Sequence, residues 1–259
     1  MLAVCIPAFA QLRLQPEHES ELVSQLVGGE LVGVLELAES WCQVETEHGY
    51  TGWTRRWQLA FDEILNPELV CTSHTPTVFP NSPGCFSAKV DTDQGWEALS
   101  QHPVFDSNAM VLQAHQLLGV PYVWGGKTPH GLDCSGLLQH LFHLQGFSFP
   151  RDAWQQAQIG SSITFDRFRP DFEPGTFLFF QRPAKRIHHV AISIGGASYI
   201  HASEWVRINS LAPESNLFEK DRFETLTHAT KIKGAHLEPL FTSFRKLSER
   251  FKMQNPSQT

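Results

Sequence analysis

Asp133-Cys134-Ser135-Gly136 fixes the start of a helix, and no other stretch constrains the fold of this chain as tightly. Downstream of it, Cys134, Leu137, Leu138, Leu141 and Phe142 recur at i, i+3, i+4, i+7 and i+8, the spacing of one apolar helix face. Upstream, Gly125-Gly126 and Pro129-His130-Gly131 cannot continue a helix, and Asp133 is a good N-cap residue. Gly146 supplies the stop. The Cys134 thiol therefore falls among free backbone N–H groups at the positive end of the helix dipole. That setting predicts a thiol pKa lowered from about 8.5 towards roughly 3.5–7.5. The same N–H groups can hold an oxyanion. The competing reading is a buried cysteine behaving as a small hydrophobe.

Some fifty residues on, Thr176–Phe180, His189–Ile194 and Ser198–His201 read as three short strands. Val190, Ile192 and Ile194 share one parity and form a core face. His189, Ala191 and Ser193 share the other, where small side chains leave room for something to pack or bind. His188 falls on the Val190 face, so only one of the adjacent histidines points at a given site. Gly195-Gly196 marks a tight hairpin. A three-residue loop, Ile194 to Gly196, sets His189 directly opposite His201; a two-residue loop sets Val190 there instead. With the first register the chain holds a thiol, a base and a second polar ring to orient the base, the layout of nucleophilic cysteine catalysis. The chain has 13 histidines, so chance pairings are expected. His115, His140 and His143 fall on helical stretches, and His130 sits in a Pro/Gly loop.

These residues resemble a known family. Tyr122-Val123-Trp124-Gly125-Gly126, Asp133-Cys134-Ser135-Gly136-Leu137, Pro150-Arg151-Asp152, Pro174-Gly175, Phe179-Phe180, His189-Val190 and Ile200-His201-Ala202 occur in that order. The series is similar to the NlpC-type cell-wall cysteine peptidases, papain-like enzymes acting on bacterial peptidoglycan, over about Asp106 to Leu237. The resemblance implies Cys134 as nucleophile, His189 as general base and His201 as the third polar residue. It implies Tyr122 on the oxyanion side, and Asp133 and Ser135 in contact with the substrate backbone. Many relatives carry serine after the Pro-Arg-X step, where this chain has Ala153; Asp152 beside it remains available to a substrate ammonium group.

Before residue 106 the pattern changes. Leu12-Arg13-Leu14, Leu31 to Leu35, Trp41 to Glu45 and Gly52-Trp53-Thr54 are short alternating runs separated by Gly28-Gly29, Glu39-Ser40 and His48-Gly49, which suggests a small all-β barrel. Ser20 to Leu26, Gly29-Glu30 and Gly49-Tyr50-Thr51-Gly52-Trp53 resemble a bacterial SH3-like domain. The expected fold class is α+β: a helix bearing the cysteine packed on an antiparallel sheet, preceded by an SH3-like barrel. The expected organisation is a barrel over 1–62, an ordered linker over 63–105, the peptidase domain over 106–237 and a C-terminal tail, a frayed helix, over 238–259.

A net charge of −7 with no basic cluster argues against nucleic acid as a partner. Five cysteines, at 5, 42, 71, 85 and 134, show neither C-x-x-C nor zinc spacing, so the expectation is no metal and no cofactor. The odd number fits a reducing compartment. Met1 to Ala10 is too short for a signal sequence and no run approaches the ~18 apolar residues of a membrane span, so a cytoplasmic protein is expected.

Within the family, members with one SH3-like domain, no export signal and a Pro-Arg-Asp motif trim released muropeptides. The resemblance therefore implies hydrolysis of the γ-D-glutamyl–diamino acid bond of stem peptides with free N-terminal L-Ala. It implies Tyr50 lining the pocket and an acid, Glu21 or Glu30, meeting the amine. The alternatives are a general secreted wall hydrolase with a targeting domain, or an acyltransferase on the same fold. The latter relatives carry histidine before cysteine, opposite to the order here. Oligomeric state is left open.

Overall fold

The structure is a computed structural model that describes residues 1–61 and 103–254. The linker expected at 63–105 falls almost wholly outside the described residues, as do Cys71 and Cys85.

Seven short strands build the N-terminal unit: β1 (Leu2–Cys5), β2 (Phe9–Arg13), β3 (Leu22–Val27), β4 (Leu31–Leu37), β5 (Trp41–Glu45), β6 (Thr51–Arg55) and β7 (Leu59–Phe61). They pair antiparallel in the order β3-β2-β6-β5-β4-β1-β7. Alternate residues point inward, so Ala3, Cys5, Leu12, Leu26, Val32 and Val44 form one apolar core. The alternating runs of the sequence fall within β4, β5 and β6, and the first overlaps the end of β2, leaving Leu14 outside it and exposed.

The second unit opens with α1 (Ser107–Gln116), whose N-cap Asp106 accepts from Asn108 N at 2.8 Å and Ala109 N at 3.1 Å. A small hairpin, β8 (Lys127–Thr128) with β9 (Gly131–Leu132), leads into α2 (Cys134–Leu144). Then come β10 (Phe147–Ser148), α3 (Ala153–Gln156), β11 (Ser161–Ser162), β12 (Phe177–Phe180), β13 (His189–Gly195), β14 (Ser198–Ser203), β15 (Trp205–Ser210), α4 (Lys220–Thr225) and β16 (Leu226–Lys231). Six of these strands form an antiparallel sheet in the order β11-β16-β12-β13-β14-β15. β17 (Glu238–Pro239) pairs with β10, and α5 (Leu240–Gln254) follows.

The apolar face of α2 lies on this sheet. Leu137, Leu138, Leu141 and Phe142 meet Phe177, Phe179, Val190, Ile192 and Ile200, all fully buried. Each such side chain contributes about 1.5–3 kcal/mol, so the helix bearing the thiol is firmly seated. The other face is also covered: Ala191 packs with Phe172, Tyr199 and Leu211. Of the two alternatives the sequence leaves for this face, packing is the one realised, since the small residues Ala191 and Ser193 are wholly buried.

Two expectations need correcting. The hairpin takes neither anticipated register: Ile192 pairs with Ile200 and Ser193 with Tyr199, which sets Ala191, not His189 or Val190, opposite His201. A bulge at Ile194 absorbs the extra residue, and Gly195 N turns aside to bond Ser193 Oγ at 3.1 Å. His189 lies two residues along from the position opposite His201, on the same face. The second concerns the tail expected over 238–259, whose described part, to Gln254, is chiefly a packed helix. α5 sets Leu240, Phe241, Phe244, Leu247 and Phe251 against Leu2, Val4 and Leu31 of the barrel.

β3 runs along the second unit and joins the two. Lys127 N donates to Gln25 Oε1 at 2.9 Å, and Arg151 Nε to Ser24 Oγ at 3.2 Å. Lys127 Nζ pairs with both oxygens of Glu30, at 2.9 and 3.1 Å, with both side chains buried. Gly125 is required here: a Cβ on it would lie 2.5 Å from Leu22 O. The barrel and the helix-bearing domain thus share a polar, closely fitted seam.

Candidate active site

α2 begins where the sequence predicts, with Asp133 accepting from Gly136 N at 2.7 Å. Gly136 is dictated by packing, since a Cβ there would lie 2.0 Å from Gly126 O. Asp133 does more than cap. It accepts from Gly125 N at 2.9 Å, from Ser135 Oγ at 3.2 Å and from both terminal nitrogens of Arg151. Arg151 NH1 also donates to Ser135 Oγ at 2.9 Å. The side chains of Asp133 and Ser135 are therefore committed to Arg151 and the helix start, and what they offer a substrate is chiefly their backbone. Arg151 stands in the Pro150-Arg151-Asp152 motif, but its burial against Asp133 is invisible in the sequence.

A cavity of about 520 Å³ opens above this helix start. Cys134, His189 and Tyr122 line it, with Asp133, Ser135 and Asp152 beside them. Glu21 and Tyr50 reach into it from the barrel. Glu30 is absent from the wall, its carboxylate being held by Lys127. His188 also lines the cavity: it precedes β13, so strand parity does not govern it.

The Cys134 thiol is within reach of the Val190 N–H, one residue from His189, and of the Ser135 N–H. Nevertheless burial, reinforced by the Asp133 charge, pushes it up to about 11. This reverses the expectation of a lowered thiol pKa: the helix start is there, but the residue is only 7% exposed. Burial likewise holds His189 well below the usual imidazole range, with Arg222 and His201 adding to it. The resting pair is thus neutral thiol and neutral imidazole. Burial also raises the Tyr122 phenol, and its proximity to Cys134 raises it further.

The imidazole tautomers follow from one chain of hydrogen bonds. Asn209 Nδ2 donates to Leu217 O at 3.0 Å, which leaves Asn209 Oδ1 as an acceptor. His201 Nε2 lies 3.0 Å from that oxygen and donates to it. His201 Nδ1, then without a proton, lies 2.8 Å from His189 Nε2 and accepts from it. His189 Nδ1 is left as the nitrogen with a free lone pair. Burial holds His201 down at about 3, so it stays neutral. Asn209 was missed by sequence reasoning, since it enters only through the pairing of β14 with β15.

At the barrel end of the cavity two carboxylates flank Tyr50. Glu21 Oε1 accepts from Trp124 Nε1 at 2.7 Å, and Asp152 Oδ2 from Trp154 Nε1 at 3.2 Å. Tyr50 itself bonds Val23 O at 3.4 Å. Burial raises its phenol, and the Asp152 charge adds to this.

Comparison with known proteins agrees with this architecture. Residues 119–226 match the NlpC/P60 family and residues 8–59 the bacterial SH3 domain. The chain is 29% identical to the Dipeptidyl-peptidase 6 of Lysinibacillus sphaericus, across 88% of its own length and 98% of that protein's. It is 36% identical over 107 residues to the Gamma-D-glutamyl-L-lysine dipeptidyl-peptidase of Bacillus subtilis, covering 40% of this chain and 35% of that one. Among solved structures, an NlpC/P60 family protein from Bacillus cereus superposes with a TM-score of 0.72 at 20% identity, covering 90% of this chain and all of that one. That last likeness speaks to the fold.

Proposed function

We propose, from the premise that this chain joins a bacterial SH3 domain to an NlpC/P60 peptidase domain, that it is a cysteine peptidase hydrolysing the γ-D-glutamyl–diamino acid bond of peptidoglycan stem peptides. Its substrates are released peptides, or muropeptide fragments, that begin with a free L-Ala. The names of the relatives, a dipeptidyl-peptidase and a γ-D-glutamyl-L-lysine dipeptidyl-peptidase, support that bond. The observation that carries the free terminus is the placement of Glu21 and Asp152 around Tyr50 at one end of the cavity. Two carboxylates in a half-enclosed pocket favour an ammonium group and disfavour a neutral amide.

Chemistry starts from the neutral pair. As the γ-carbonyl approaches, the Cys134 thiol gives its proton to His189 Nδ1 and the sulfur attacks the carbonyl carbon. The oxyanion accepts from the Cys134 backbone N–H, with the Tyr122 hydroxyl as second donor. His189 then protonates the nitrogen of the diamino acid, which leaves, and the acyl group remains on sulfur as a thioester. Water attacks the thioester while His189 takes its proton, and the thiol is restored. His201 and Asn209 hold His189 in the tautomer that keeps Nδ1 free for both transfers.

The test compares kcat/KM for L-Ala-γ-D-Glu-diaminopimelate with that for its N-acetyl derivative. The free amine should be cleaved at least a hundredfold faster, a difference of about 2.7 kcal/mol. Equal rates would mean an open pocket, and the chain would then be a general wall hydrolase whose barrel serves as a targeting module.

A further inference from the structure

Outside the cavity wall, three side chains converge that the peptidase chemistry does not use. Glu47 and His48 come from the turn between β5 and β6, and His143 from the last turn of α2. Glu47 Oε1 lies 3.2 Å from His48 Nε2 and 3.4 Å from His143 Nε2, and the three donor atoms fall within 4.8 Å of one another. The Glu47 side chain is 0% exposed, and among the described residues its oxygens meet only the two imidazoles. Lys127 is already spent on both oxygens of Glu30. A carboxylate so buried and so placed needs a cation.

We propose that Glu47, His48 and His143 form a zinc site that ties the barrel to α2. Two imidazole nitrogens and one carboxylate oxygen are a donor set that suits Zn2+. For tetrahedral zinc with bonds of about 2.0–2.1 Å, neighbouring donors stand about 3.3 Å apart, which matches both contacts to Glu47. Ser148 Oγ, 3.0 Å from His48 Nε2, borders the same point and can orient a water in the fourth position. The turn that supplies Glu47 and His48 also carries Tyr50 into the cavity, so the ion would fix the loop on which that side chain sits.

The experiment uses the full chain carrying Cys134→Ala, so that the cavity thiol does not compete. Zinc is titrated into chelator-stripped protein by calorimetry, and bound metal is counted by mass spectrometry. X-ray absorption at the zinc edge reports the donor atoms. One zinc per chain is expected, with nitrogen and oxygen donors, a higher Tm with zinc than with EDTA, and at least a hundredfold weaker binding in Glu47→Gln. That variant keeps the size of the side chain; His143→Gln provides a second test should it fold poorly. No stoichiometric binding, sulfur donors, or equal affinity in a folded Glu47→Gln would overturn the site and leave the cluster as a buried ion pair.

Discussion

Replacing Asn209 by leucine should slow catalysis without weakening substrate binding, although Asn209 is not part of the cavity wall. In the native arrangement its Oδ1 takes the His201 Nε2 proton at 3.0 Å, its orientation being fixed by Leu217 O. Leucine removes that acceptor. A buried N–H left without a partner costs about 1–3 kcal/mol. The pair can relieve the cost by moving the His201 proton to Nδ1, but this points it at His189 Nε2, 2.8 Å away. His189 must then carry its own proton on Nδ1 and can no longer accept one there. The penalty therefore appears in kcat, as about a 5- to 150-fold loss. Glu219 Oε2, 3.5 Å from His201 Nε2, is a rival acceptor and should keep the loss in the lower part of that range. Steady-state kinetics on L-Ala-γ-D-Glu-diaminopimelate separates kcat from KM. Asn209→Asp, which keeps an acceptor oxygen, should recover most of the rate. A leucine variant with native kcat, or one that loses only KM or Tm, would refute the tautomer assignment.

Other outcomes follow from the same geometry. Cys134→Ala should abolish hydrolysis with little change in Tm, and substantial remaining activity would end the cysteine mechanism. His189→Ala should be nearly as damaging, because groups acting as one unit are not additive, while His188→Ala should keep most turnover; the reverse ranking would mean that the base is His188. Iodoacetamide should modify Cys134 faster as pH rises towards about 11, whereas a rate flat between pH 5 and 9 would reveal a resting thiolate. Acid should destabilise the fold through His201. Its folded pKa, about 3, lies below the unfolded 6.5, so the unfolded chain takes the proton first and stability present above pH 6.5 drains away as pH falls towards 3. The loss at pH 5 is about 2 kcal/mol from this group. Urea unfolding at pH 7 and pH 5 should show it, and His201→Gln should reduce the difference by about that amount; an unchanged pH slope in that variant would exclude His201 as a source.

Much of this molecule is legible in its sequence because local chemistry decides it. The start of α2 rests on Asp133, Gly136 and an apolar period of 3.6, and each is readable without the fold. The barrel strands follow from alternation. What escaped reading depends on long-range pairing. The hairpin register turns on a bulge at Ile194 that loop-length rules do not foresee. The thiol's raised pKa reflects burial, which outweighs the helix start that the sequence advertises. Arg151 and Asn209 carry no local signal of their partners, since each partner arrives from another element. The helical period of Leu240, Phe241, Phe244, Leu247 and Phe251 was present in the sequence, but its partner face on the barrel was out of sight.

That last packing has a consequence for how the chain comes to be folded. Leu2, Val4 and Leu31 are synthesised more than two hundred residues before the helix that covers them. Until then the barrel presents an uncovered apolar strip, the kind of surface that invites aggregation. The closeness of the fit shows at Gly33, where a Cβ would lie 2.1 Å from the Phe251 ring. Two segments so far apart in the chain thus complete each other, so a barrel cut away from the rest would be a different object from the barrel in place.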